Sequence, residues 1–66
     1  MDRTAKFEKI VENHEGRITA HDDFGNYRVE FDWHARAAGF YDDMICREWA
    51  EVIDNTNAHV AVKITR

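Results

Sequence analysis

Hydrophobic and polar residues alternate strictly from Tyr27 to His34. Tyr27, Val29, Phe31 and Trp33 fall on one side, and Arg28, Glu30, Asp32 and His34 on the other. A period of two marks a strand with one face in a core and one in water. Upstream, Arg17 to Phe24 offers a partner strand. Gly25-Asn26 suits a two-residue type II′ turn, because glycine accepts the positive φ of its first central position. The stretch Arg17 to Arg36 therefore predicts a β-hairpin. That turn sets Phe24 opposite Tyr27, Asp22 opposite Val29, Ala20 opposite Phe31 and Ile18 opposite Trp33. On the other face it sets Asp23 opposite Arg28, His21 opposite Glu30, Thr19 opposite Asp32 and Arg17 opposite His34.

The pattern changes period on either side. Phe7, Ile10, Val11 and His14 recur at helical spacing among charged residues, which predicts a short amphipathic helix capped by Asp2 or Thr4 and stopped by Gly16. After a link from Ala35 to Gly39, residues Phe40, Tyr41, Met44, Ile45, Trp49, Val52 and Ile53 again share one helical face. A second helix is expected from Phe40 to Asp54, with Asp43-Arg47 and Arg47-Glu51 as i,i+4 pairs and Glu48 within the apolar stripe. Asn55 to Asn57 reads as a polar turn. Ala58 to Thr65 then alternates once more, with Val60, Val62 and Ile64 inward.

The expected fold is a small α+β domain in the order α-β-β-α-β. It has a three-stranded, mainly antiparallel sheet of order 3-1-2, with two helices on one face.

Sixty-six residues allow one domain, 1–66, that buries about 60% of its unfolded surface. Two Trp, four Phe and two Tyr supply large buried area per residue. The single Cys46 rules out an internal disulfide, and no apolar run reaches the length of a bilayer span. With no signal-peptide core in the first ten residues either, a cytoplasmic protein is expected, and the absence of proline and of Gly/Ser-rich runs argues against linkers or tails.

Most chemistry finds no support in the residues. His21, His34 and His59 share the outer sheet face in the expected topology. A site from His21, Glu30 and His59 is conceivable there, but no His-x-x-x-His or Cys-x-x-Cys spacing accompanies it, so no metal or other cofactor is expected. Cys46, read as a semi-buried structural thiol, has no histidine within a helical turn to act as base. Asp22-Asp23 and Asp42-Asp43 are adjacent pairs whose side chains diverge, so they do not form an acid/base couple. The glycines are isolated, which excludes a phosphate loop. The aromatics point inward and leave no stacking platform for nucleic acid.

Charge is what remains. The net charge is −4, yet from Asp22 to Asp54 nine carboxylates face only Arg28, Arg36 and Arg47, a local balance of −6. Asp42, Asp43, Glu51 and Asp54 would line helix two, with Asp22, Asp23 and Glu30 beside them on the hairpin. Such a surface fits a basic groove that normally holds nucleic acid. In size, acidity and lack of linkers the chain resembles the small inhibitors of phages and mobile elements, including anti-CRISPR proteins and DNA mimics. The resemblance implies a non-enzymatic protein that binds a host nucleic-acid-binding protein or complex; beside it, a monomer or weak homodimer that touches neither nucleic acid nor membrane directly is expected. Two alternatives belong to other classes. One is a metal- or pH-responsive regulator using His21, His34 and His59; the other is an accessory subunit that extends its sheet into a partner.

Overall fold

The structure is a computed structural model that describes residues 3 to 65. Two helices, α1 (Arg3–Asn13) and α2 (His34–Ile45), cover one face of an antiparallel sheet. Its four strands are β1 (Arg17–His21), β2 (Asn26–Glu30), β3 (Ala50–Thr56) and β4 (His59–Ile64), in the order β1-β2-β4-β3. The α+β class agrees with the sequence. The three-stranded sheet of order 3-1-2 does not: a fourth strand takes over the last third of the expected second helix, and β4 lies beside β2 rather than β1.

The amphipathic pattern of α1 buries Phe7, Ile10 and Val11 as expected. Asp2, one of its two expected caps, lies outside the described residues, and Thr4 sits within the helix. The helix ends in a Schellman arrangement, with Glu15 N–H donating to Glu12 O and Gly16 N–H to Val11 O. The left-handed residue of that arrangement is Glu15, at φ 59, not Gly16. Gly16 is required for a different reason: a β-carbon there would collide with Phe31.

The β1-β2 hairpin turns through Asp23, Phe24 and Gly25, a loop one residue longer than a type II′ turn. Asp22 N–H donates to Asn26 O across its base, and Gly25 takes φ 90. Asp22 fixes this loop, since its carboxylate accepts from the amides of Phe24 and Asn26 and from the Asn26 side chain. These bonds, the one from the Asn26 side chain foremost, hold the Asp22 carboxyl below its usual value. Tyr27 therefore pairs with His21 and Val29 with Ile18. Tyr27, Val29 and Phe31 still face the core, but Trp33 is 53% exposed, because the chain leaves the strand after Glu30 and Trp33 becomes the residue before α2.

Helix α2 begins six residues earlier and ends nine residues earlier than the Phe40 to Asp54 expectation. It buries Ala37, Phe40 and Met44, while Ile45 is left exposed. Of the two expected i,i+4 pairs only Asp43-Arg47 exists, and Glu48 is an exposed turn residue. Trp49 is half-buried, with Lys6 and Arg47 each over its ring at 5.9 Å. From Ala50 the chain enters β3, which pairs with β4 through the Asn57-Ala58 turn. The strands richest in inward apolar residues, β2 and β4, take the central positions, and β1 and β3 form the edges. The core is one cluster in which Phe40 joins Phe7 and Phe31 at centroid separations of 6.0 and 5.2 Å, above Val29, Val60, Val62 and Ile64.

Each edge strand carries an irregularity in the same row. Thr19 and Ala20 stand opposite Arg28, and Ile53 and Asp54 stand opposite Ala61. These bulges interrupt the hydrogen-bonding border that another chain would need for sheet extension.

Candidate partner-binding surface

The four carboxylates expected on one helix, Asp42, Asp43, Glu51 and Asp54, divide between two elements, while the three expected on the hairpin lie on it. Asp42 and Asp43 lie on α2, Glu51 and Asp54 on β3, Glu30 on β2, and Asp22 and Asp23 in the β1-β2 loop. Their availability also differs. Asp43 lies between α2 and α1, where its carboxylate accepts from Arg47 Nη2 at 2.8 Å and meets His14 Nε2 at 3.1 Å. Those two contacts, Arg47 first, hold its carboxyl below the usual carboxylate value. Glu30 stands 3.2 Å from Nδ1 of His59, its register partner on β4. Asp22 serves its own loop.

Asp23, Asp42, Glu51 and Asp54 are exposed and have no cationic partner among the described residues. Glu51 and Asp54 share the open face of the sheet. Strand alternation alone would place residues three apart on opposite faces, but the bulge at Ile53 restores them to one. Lys63 is the register partner of Glu51 but forms no ion pair with it. Asp54 accepts from the Thr56 hydroxyl at 2.9 Å, a bond that orients the carboxylate without neutralising it.

The open face also holds a shallow depression of about 400 Å³. Ala20 and Ala61 leave room in it, Arg28 helps to line it, and Ile53 borders it with 56% of its surface exposed. Sequence reasoning placed Ile53 in a helical core and missed this feature. The signal that could have found it is the run from Ala50 to Thr56, rich in β-propensity at Val52 and Ile53 and followed by an Asn-led turn.

The histidines do not converge. His59 pairs with Glu30 on the open face, His21 stacks on Tyr27 at 5.8 Å, and His34 begins α2 beside Trp33. Among the described residues no group of three or more His, Cys, Asp or Glu is placed to hold a metal ion. Cys46, expected to be semi-buried, is exposed, and its thiol lies 3.4 Å from the Asp42 carbonyl. No helix among the described residues is long and apolar enough to cross a membrane.

Comparison of the chain with protein-family models, curated proteins and solved structures finds no match.

Proposed function

We propose that this chain is a non-enzymatic interaction protein that inhibits a nucleic-acid-binding protein by occupying its basic groove. The contact is the acidic border formed by β3. The observation that supports this reading is the placement of Glu51 and Asp54 on one open face, both exposed and neither paired with a cation among the described residues. Carboxylates kept free in this way retain their charge for a partner's Lys and Arg. Asp42 on α2 and Asp23 in the β1-β2 loop are further exposed carboxylates, whereas Asp43, Glu30 and Asp22 support the fold.

Binding of this kind weakens with salt and competes with nucleic acid for the same groove. The test immobilises the protein, captures partners from an extract of its host at low salt, and challenges the complex with duplex DNA. The expected result is release of the captured protein by DNA and loss of capture by an E51K/D54K variant that remains folded by circular dichroism. Capture indifferent to both would overturn the reading.

A further inference from the structure

The helices cover one face of the sheet and leave the other bare. On that face Ala20, Arg28 and Ala61 stand in a single row that ends at the Ile53-Asp54 bulge. The row is asymmetric in a useful way. Small side chains at Ala20 and Ala61 make a hollow, and the exposed Ile53 makes a knob at the β3 end. Arg28 has no ion pair among the described residues, and Asp54 lies two strands away, about 10 Å across the sheet.

Consider a second copy related by a two-fold axis parallel to the strands, with the open faces together. This operation lays β1 over the other copy's β3, and β2 over its β4. The Thr19-Ala20 bulge then faces the Ile53-Asp54 bulge of the other copy, so each Ile53 enters the hollow beside an Ala20. Each Arg28 lies over an Ala61 with an Asp54 alongside, and each Glu30 lies over a His59. A two-fold axis across the strands would instead place Arg28 on Arg28. In the rows of Arg28 and Glu30 only the first arrangement sets unlike side chains together, and it is the aligned packing of sheet on sheet.

We propose that two copies of this protein associate reversibly through their open sheet faces, with Ile53 seated over Ala20 and Arg28 paired to Asp54 across the interface. Four strands of about five residues give a footprint of roughly 300 Å² in projection, smaller than standard stable interfaces, so association is weak. The dimer goes beyond the partner binding proposed above and covers Asp54, so a bound partner would favour the single chain.

Sedimentation equilibrium of the purified protein tests this without any partner. Between roughly 10 μM and 1 mM the apparent mass rises from one chain toward two. R28E and D54R each weaken association at least about tenfold, and the R28E/D54R double variant recovers most of that loss. I53D abolishes association while its circular dichroism remains unchanged. A mass of one chain throughout that range would overturn the proposal. Association unaffected by I53D, or single losses that the double variant does not repair, would assign contact to another surface and overturn it equally.

Discussion

Gly16 lies against the ring of Phe31 so closely that a β-carbon on it would sit 2.5 Å from Cε2 of that ring and 2.9 Å from Cγ1 of Val29. The end of α1 is thus pressed onto β2 and the residue that follows it. Phe31 cannot swing away, because it is 4% exposed and its ring meets Phe40 at 5.2 Å. Gly16→Ala is expected to lower stability by about 1–3 kcal/mol through overpacking. Urea denaturation checks this: the midpoint falls while the slope, which reports buried surface, stays constant. A change below about 0.5 kcal/mol would mean that the contact relaxes freely.

Met44 and Ile45 are neighbours with opposite fates, one fully buried and the other 54% exposed. Met44→Ala empties a fully buried volume in the core cluster, and a loss of about 2–5 kcal/mol is expected. Ile45→Ala removes surface that is already largely wet, so a change within about 0.5 kcal/mol is expected. Equal losses in the two variants, read from thermal or urea unfolding, would contradict the observed rotation and end of α2.

The same pair shows how far the sequence could be read. Phe7, Ile10 and Val11, then Tyr27, Val29 and Phe31, then Val60, Val62 and Ile64 each follow one uninterrupted period, and each faces the core as that period requires. Between Met44 and Ile53 two periods overlap. Met44, Ile45, Trp49, Val52 and Ile53 are spaced as on a helix, and the bulge at Ile53 destroys the alternation that would reveal β3. The loop at Asp22 misled for a similar reason: the turn lies at Asp23 to Gly25 and not at Gly25-Asn26, which moves the partner of Tyr27 from Phe24 to His21, and the bulge at Thr19-Ala20 displaces the pairing of Val29 once more. The acidic residues were identifiable by type, but their grouping depended on β3, so the division of Asp42, Asp43, Glu51 and Asp54 between α2 and β3 was hidden with it.

Asp43 links α2 to α1 through His14, and its carboxyl is held below the ordinary value of 3.8, chiefly by the hydrogen bond from Arg47. A carboxyl that is more acidic in the folded chain than in the unfolded chain contributes stability above its unfolded pKa. That contribution is lost as pH falls through the folded pKa. Asp43→Asn is therefore expected to cost about 1 kcal/mol at neutral pH. The gap between the natural protein and the variant should close as pH falls from about 5 to about 2. Paired urea titrations across that range provide the measurement. A gap independent of pH would show that the side chain acts through shape and not through its charge.

Asn57 carries a φ of 59 between the paired residues Thr56 and His59, and so sets the β3-β4 hairpin. Asparagine tolerates this left-handed conformation, glycine adopts it freely, and a β-branched residue does not. Asn57→Val should cost about 1–2 kcal/mol, which in a domain of this size lowers the melting temperature by roughly 4–8 °C for each kcal/mol. Asn57→Gly should leave it nearly unchanged. The contrast is specific to a hairpin. Were residues 40–54 a single helix, Asn57 would occupy an open connection with no register to hold, and valine would be accepted there. Amide exchange supplies the second check. The hairpin protects the amides of Glu51 and Thr56, whose pairs with Lys63 and His59 are the hydrogen-bonded ones in the alternation that also gives the Thr65 to Trp49 bond, and Asn57→Val should deprotect these amides more than those of α1.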